Sequence, residues 1–179
     1  MLHSTVSLVC LTSIFRVVHS CSDLLLTGNV NCTSGRLTKS GSSSSYEDNF
    51  AVTASAVVNF SLVAAAPDSI SQYYVRFGLT STSSGFAPSY GLGLFPDRIA
   101  CTGFDGCNSF GPPGLGTYAA GDRLSLSISS DGSIHVIHEG AVIKSSVAGA
   151  ASPSMWGGIA IYTPGAWVEG VEVALVPSP

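Results

Sequence analysis

Hydrophobic and polar residues alternate regularly in the segment 121–146. From Leu124 to Ile128 every second residue is leucine or isoleucine and the residues between them are serines, a period of two that is typical of a β-strand with one buried face. The pair Asp131-Gly132 then predicts a tight hairpin turn with positive φ angles, after which the alternation resumes. A second turn is predicted at Glu139-Gly140. The segment is therefore predicted to form an antiparallel meander.

Short apolar runs of the same kind recur along the rest of the chain. Further strands are predicted at Leu24–Thr27, Val57–Ala65, Tyr73–Leu79, Tyr90–Phe95, Ile134–Val136, Ala141–Ile143, Gly157–Tyr162 and Val171–Leu175. Loops are predicted at 41–45 and 96–116, where glycine, serine, proline and turn-forming residues cluster. Apolar residues nowhere recur at helical spacing over three turns. The pattern predicts an all-β chain, folded as a two-sheet sandwich or a barrel.

Composition limits the class of protein and of partner. The chain has 179 residues, of which 45% are hydrophobic and 10% are charged. So low a charge argues against a disordered polymer and allows a packed core, and the length fits one domain, predicted at residues 21–179. The formal net charge of −4 offers no basic surface, so nucleic acid is not an expected partner.

The first twenty residues are predicted to be a secretory signal peptide. The apolar run from Ser7 to Phe15 is too short to span a bilayer, and Val18 and Ser20 place small residues before a cleavage point ahead of Cys21. The absence of a basic residue before the run leaves an alternative open, in which residues 5–18 form a buried strand of the domain.

Cysteine spacing agrees with export. Removal of the predicted signal peptide leaves four cysteines, which allow three pairings. Pairing of nearest neighbours, Cys21 with Cys32 and Cys101 with Cys107, requires the least distortion of the chain and is the pairing we expect. Zinc is the alternative, but the paired short spacings of a structural zinc site are missing and, once the predicted signal peptide is removed, no histidine lies near either pair.

Two triplets match the acceptor pattern for N-glycosylation. They are Asn31-Cys32-Thr33 and Asn59-Phe60-Ser61. Within the predicted strand 57–65, Phe60 would point inward and Asn59 outward, where a glycan could be attached.

Several motifs resemble the concanavalin A-like lectin/glucanase family. They are Tyr118-Ala119-Ala120-Gly121-Asp122, the hairpin that follows it, Ile161-Tyr162-Thr163-Pro164-Gly165-Ala166 and Val75-Arg76-Phe77-Gly78-Leu79. The similarity is good from about residue 73 to 176, looser from 31 to 72 and missing in 1–30. It implies a jelly-roll of two antiparallel sheets that often presents a concave face or rim to glycans. Motifs made of turns and strands are stronger evidence for a shared fold than for a shared function.

The glucanase branch of that family uses carboxylates that alternate along one strand, and no such run occurs here. The nearest match is Glu169-Gly170-Val171-Glu172, whose spacing of three is expected to place the two carboxylates on opposite faces of a strand. The sequence therefore predicts that the protein is not an enzyme.

Metal ligands are sparse. His135 and His138 are an odd number of residues apart on one predicted strand, so they are expected on opposite faces. Asp97, Asp105 and Asn108 are candidate calcium ligands in the long loop, but the same residues are favoured in turns. No cofactor is predicted.

Sugar-binding proteins stack the apolar faces of sugars on aromatic rings and hold hydroxyl groups with a few polar side chains. The candidate binding residues are Trp167, Tyr90, Phe104, Asp105, Asn108 and Trp156. Trp167 is the first choice because it lies at a turn exit beside Gly165 and Glu169.

The resulting hypothesis is a secreted, non-catalytic carbohydrate-binding module whose partner is a glycan or a cell-surface polysaccharide. A structural or adhesive surface protein is the alternative, and a diverged glycoside hydrolase is a third possibility. The sugar and the oligomeric state stay open.

Overall fold

The computed structural model describes residues 17–18, 21–42, 49–64, 75–83 and 87–176. Apart from one turn of 3-10 helix at Cys21–Asp23, the regular elements in these ranges are strands. They are β1 Val17–Val18, β2 Leu24–Gly28, β3 Val30–Thr33, β4 Arg36–Lys39, β5 Asn49–Thr53, β6 Val57–Val63, β7 Val75–Thr80, β8 Tyr90–Leu94, β9 Ile99–Thr102, β10 Arg123–Ile128, β11 Ile134–His138, β12 Ala141–Ser145, β13 Trp156–Ile161 and β14 Trp167–Leu175. The described ranges hold no helix that could cross a membrane.

The strands form two antiparallel sheets. The larger sheet has the order β12-β11-β10-β6-β14-β4-β3, and β1 pairs with β14 beside that path. The smaller sheet has the order β2-β5-β13-β7-β8-β9. The prediction of an all-β, two-sheet antiparallel sandwich is confirmed.

The core lies between the two sheets and is built by alternate residues of their central strands. Phe60 and Leu62 of β6 and Phe77 and Leu79 of β7 are fully buried. The rings of Phe60 and Phe77 meet with 6.4 Å between centroids. Gly157 of β13 leaves room for this contact, since a Cβ atom there would lie 2.6 Å from Phe60 Cγ.

The strands β4 and β5 are among those not predicted, because apolar and polar residues do not alternate along them. In β5, the neighbours Ala51 and Val52 are both fully buried, so both faces of this strand are covered. In β4, Lys39 occupies a buried position two residues after Leu37. Its ammonium group donates a hydrogen bond of 2.7 Å to the Tyr162 carbonyl oxygen, and burial lowers the pKa of this lysine.

The prediction of a loop at 96–116 is wrong in part, because Ile99–Thr102 forms the strand β9 at the edge of the smaller sheet. The strand β3 was also unpredicted. Tyr73, Tyr74 and residues 43–45 of the predicted loop lie outside the described residues, as does most of the predicted signal peptide. The exception is β1, whose residues Val17 and Val18 pair with Ala174 and Val173.

The meander of β10, β11 and β12 is confirmed, with one correction at its first turn. Only Gly132 of the Asp131-Gly132 pair has a positive φ, of 76°, and the hairpin loop runs from 129 to 133. The Gly132 amide donates a hydrogen bond to the Ser129 carbonyl and so closes a turn. Asp131 lies in this turn without a positive φ angle. At the second turn both Glu139 and Gly140 have positive φ angles, of 49° and 80°.

Both disulfides have the predicted pairing. Cys21 is joined to Cys32 with a Cα–Cα distance of 5.6 Å, and Cys101 to Cys107 with 5.3 Å. The first ties the 3-10 turn to β3, and the second closes the loop after β9.

Candidate functional site

A cleft with a volume of about 480 Å³ lies where β6, β10 and β14 come together beside Asn59, which is on the outer face of the larger sheet, the face turned away from the smaller sheet. In the register of this sheet Asn59 of β6 lies opposite Ser127 of β10 on one side and Ala174 of β14 on the other. We call this site the Asn59 cleft. Its described lining consists of Val58, Asn59, Ser127, Ile128, Ser129, Ser130 and Ala174. The site combines an apolar wall with a carboxamide and several hydroxyl groups.

The Asn59 side chain has an unmet hydrogen-bonding capacity in this cleft. Its Oδ1 atom is cut off from solvent and has no hydrogen-bond partner among the residues that the structure describes. Buried polar atoms in native proteins are nearly always paired, so this acceptor is an unmet hydrogen-bonding requirement at the cleft.

The hairpin loop beside Asn59 orients a second acceptor. The Ser129 hydroxyl donates to Asp131 Oδ1 at 2.5 Å, which leaves the Ser129 oxygen free to accept. The Ser129 hydroxyl, followed by the Ser133 amide and hydroxyl, lowers the pKa of Asp131 to about 2. Asp131 is therefore ionised at neutral pH and fixes the loop that forms one side of the cleft.

Farther along the same face, Glu169 and Glu172 stand on one side of the sheet. Glu169 lies opposite Val63 and Glu172 opposite Ser61. Val63 and Ser61 are two residues apart on β6, so they share a face. A β-bulge at Gly170, whose φ is 57°, supplies the extra residue on β14. The prediction that these carboxylates point to opposite faces is therefore wrong.

Each of these carboxylates has an arginine partner. Arg36 Nη2 lies 3.2 Å from Glu169 Oε2, and Arg123 Nη1 lies 2.8 Å from Glu172 Oε2. Arg123 also donates to Ser61 Oγ at 3.3 Å. The outer face next to the cleft thus carries compensated charge.

The two histidines of β11 have different hydrogen-bond partners. His135 lies opposite Ser127 and His138 opposite Leu124, on different faces as predicted. Nδ1 of His135 is 2.7 Å from Ser145 Oγ, and Nε2 of His138 is 2.7 Å from Asp122 Oδ2. The Ala119 amide, and after it His138, lowers the pKa of Asp122.

No family model matches the chain, and no curated protein matches it. Among solved structures, a sialidase matches with a TM-score of 0.55 and 13% identity over 86% of this chain, but over only 16% of the sialidase. The carbohydrate recognition domain of Emp46p, in its potassium-bound form, matches with a TM-score of 0.55 and 12% identity over 88% of this chain and 90% of that domain. The chain is similar to these proteins in fold, a two-sheet antiparallel sandwich of the concanavalin A-like type. The family resemblance seen in the sequence is confirmed for the fold.

Within this lectin-like sandwich the two predicted tryptophans lie on different sheets. Trp167 begins β14 on the outer face of the larger sheet, opposite Thr38, and the Arg36 guanidinium carbon lies 4.1 Å from its ring centroid. Trp156 begins β13 in the smaller sheet, opposite Thr80. A single ligand patch made by both rings is therefore not formed.

The predicted aromatic pair near the long loop packs inside the lectin-like sandwich. The rings of Tyr90 and Phe104 meet edge to face, with 5.2 Å between centroids, and Phe104 is only 4% exposed. Phe104 therefore offers little surface to a ligand. Binding at Tyr90, Trp156 or Trp167 stays a prediction.

The candidate calcium ligands have no common centre that the structure reveals. Asp105 and Asn108 are exposed on the loop closed by the second disulfide. Both carboxylate oxygens of Asp97 lie 3.0 Å from Arg98 Nη1. Within the described ranges, no group of three or more histidine, cysteine, aspartate or glutamate residues could hold a metal ion.

The Asn59 cleft was missed by the sequence-based search. Its residues come from β6, β10, the following loop and β14, and a period of two shows only that some of them face outward. Asn59 lies on the outward side of β6, next to the fully buried Phe60, and its glycosylation stays a prediction.

Proposed function

We propose that this lectin-like domain is a secreted, non-catalytic carbohydrate-binding module that holds a sugar in the Asn59 cleft. The cleft volume of about 480 Å³ falls within the range of small-ligand sites. The fold shared with the Emp46p carbohydrate recognition domain supports the same class of function. It is a likeness of fold alone, so the cleft carries the proposal.

Sugars present both apolar C–H faces and hydroxyl groups. Val58, Ile128 and Ala174 offer an apolar surface to the first, and the acceptors Asn59 Oδ1 and Ser129 Oγ match the second. No described residue lining the cleft is charged, which favours a neutral sugar over an ionic ligand.

The observation that carries this function is the unpaired, buried Asn59 oxygen. An unsatisfied buried acceptor costs about 1–3 kcal/mol, and a ligand hydroxyl that donates to it would remove that cost. Removal of the carboxamide should therefore weaken sugar binding strongly.

Two further features support secretion and the absence of catalysis. Both disulfides suit an oxidising compartment. Glu169 and Glu172, the carboxylates nearest to a glycosidase pattern, are each engaged by an arginine. Expression of the full chain in eukaryotic cells, followed by N-terminal sequencing of protein from the medium, tests export. The expected first residue is Cys21, and retention of the whole chain inside the cell would contradict the proposal.

The binding test uses the oxidised chain made without N-glycans. It is screened on a glycan array, and the strongest hit is then titrated by calorimetry. Asn59→Ala should weaken binding at least about tenfold, the equivalent of one buried hydrogen bond. Asn31→Ala is the matched control, because Asn31 is exposed on β3 and should leave the affinity unchanged.

Two outcomes would count against this function. Silence across neutral plant, algal and animal sugars would contradict carbohydrate binding itself. Normal affinity in Asn59→Ala together with lost affinity in Trp167→Ala would move the site to the tryptophan at the start of β14.

An adhesive role is the second candidate, and exposed apolar residues at the sheet edges favour it. Leu25 of the edge strand β2 is 52% exposed, and Val142 of the edge strand β12 is 59% exposed. Unpaired edges with apolar side chains promote association between chains. Sedimentation at increasing concentration tests this role, which Leu25→Ser and Val142→Ser should weaken.

A further inference from the structure

Asn59 combines two properties. It supplies the unpaired acceptor of the Asn59 cleft, and it begins the glycosylation triplet Asn59-Phe60-Ser61. We propose that Asn59 is N-glycosylated during export and that the first sugar of this glycan occupies the cleft, which closes the site to other sugars. The inference rests on the proposed function, because it requires that the cleft takes a sugar.

The modification is a simple group transfer. Asn59 Nδ2 forms a bond to C1 of the N-acetylglucosamine at the end of a polyprenyl-pyrophosphate-linked oligosaccharide. The bond between C1 and the phosphate oxygen breaks, Nδ2 loses a proton and the polyprenyl pyrophosphate leaves. The donor belongs to the exporting compartment, and no oxidant or reductant is needed.

The fold requires the transfer to precede folding. β6 is paired on both sides, with β10 and with β14. Phe60 is fully buried and Ser61 is 3% exposed, so the folded triplet cannot enter an enzyme as an extended chain. A glycan added to the nascent chain must then be accommodated by the finished sheet.

The surroundings of Asn59 provide this space. Its register partners are Ser127 and Ala174, both small, and the cleft extends from there over Ile128 and the hairpin loop. The Asn59 side chain itself lines the cleft, so a sugar on its Nδ2 would begin at the cleft.

Asn31 offers the contrasting case. It is exposed on the edge strand β3, and its Nδ2 donates to Ser40 Oγ at 3.2 Å on the surface. A glycan on Asn31 would extend into solvent, whereas a glycan on Asn59 is tethered beside its own binding surface. A short tether corresponds to an effective concentration in the millimolar range, so even weak affinity fills the cleft.

The test compares the full oxidised chain from two sources. One is secreted from eukaryotic cells and trimmed to a single N-acetylglucosamine per site, and the other is made without glycans. Peptide mass spectrometry should find Asn59 modified in the first. Nuclear Overhauser contacts should join the N-acetyl methyl group on Asn59 to the methyl groups of Ile128 and Ala174.

The closing effect is measured with N,N′-diacetylchitobiose as the probe. The trimmed glycoprotein should bind it at least about tenfold more weakly than the chain without glycans, because the tethered sugar competes. Ser61→Ala removes the Asn59 triplet but keeps Asn59, so the secreted variant should regain the binding. Thr33→Ala removes the triplet at Asn31 and should leave the cleft closed.

The possible failures are distinct. An unmodified Asn59 in the secreted chain would overturn the inference, and so would equal probe binding by the glycoprotein and Ser61→Ala. If the chain without glycans binds no sugar but the methyl contacts are seen, the inference stands and binding of free sugars is what fails.

Discussion

Ala174 of β14 is the register partner of Asn59 of β6, so its methyl group stands beside the buried carboxamide on the outer face of the larger sheet. Ala174 is half-buried and lines the cleft. A longer side chain at this position would project into the space above Asn59. The residue at position 174 therefore sets the width of the cleft.

Ala174→Leu should block sugar binding without unfolding the protein. The added side chain fills the cleft, so we expect the affinity measured by calorimetry to fall at least about tenfold. The thermal midpoint should change by only a few degrees, about the effect of 1 kcal/mol. Ala141→Leu makes the same change at an exposed position of β12 and should keep the native affinity. Full affinity in Ala174→Leu would show that sugars bind elsewhere.

The bulge at Gly170 should be sensitive to any side chain. Its φ of 57° disfavours other residues, and an added Cβ would lie 2.8 Å from Val63 Cγ2. We expect Gly170→Ala to lower the free energy of unfolding by about 1–3 kcal/mol in urea denaturation.

A variant at Gly165 distinguishes the two causes of that loss, which are backbone strain at a positive φ and the close contact with Val63. The φ of Gly165 is 77°, but no atom of the described residues lies within 4 Å of an added Cβ. Gly165→Ala should therefore show the backbone effect alone, of about 1 kcal/mol. Equal losses at the two positions would mean that the contact with Val63 adds nothing.

The meander could be predicted because β10 and β11 each bury one face, so that apolar and polar residues alternate along them. The same reasoning failed for Glu169 and Glu172, since the bulge between them adds a residue that a strict period of two does not allow. Gly170 is the only local signal, and a glycine in a strand indicates a bulge or a close backbone approach without deciding between them.

The Asn59 cleft could not be predicted from sequence patterns, for a different reason. Alternation within β6 shows that Asn59 faces outward, but its neighbours Ser127 and Ala174 belong to strands far away in sequence. Register between such strands is decided by the packing of the whole sheet. The predicted ring residues failed to converge for the same reason, since Trp167 and Trp156 belong to different sheets.

Gly157→Ala should destabilise the core by overpacking. Its Cβ would lie 2.6 Å from Phe60 Cγ, and Phe60 is held against Phe77. We expect a loss of about 1–3 kcal/mol in the free energy of unfolding. Phe60→Leu frees space, so the double variant should lose less than the sum of the two single losses in a double-mutant cycle. Strict additivity would contradict this contact.

The loop beside the cleft should respond to acid through Asp131. The pKa of Asp131 is lowered from 3.8 to about 2, chiefly by the Ser129 hydroxyl. Because the pKa of Asp131 is lower in the folded state than in the unfolded state, the stabilisation of the fold is complete above pH 3.8 and is lost as the pH falls towards about 2. Carboxyl carbon shifts measured by NMR should therefore show the Asp131 midpoint near 2. Residue-resolved shifts are needed because the pKa of Asp122 is lowered as well.

Two serine variants identify the cause of this shift. Ser129→Ala removes the largest contribution and should move the Asp131 midpoint upwards, towards 3.8. Ser130→Ala is the matched control, because Ser130 is the next residue in the loop and is not among the groups that lower the pKa of Asp131. An Asp131 midpoint at 3.8 in the unmodified chain, or one that Ser129→Ala leaves in place, would show that Ser129 does not hold this carboxylate and that the side of the cleft is ordered by other contacts.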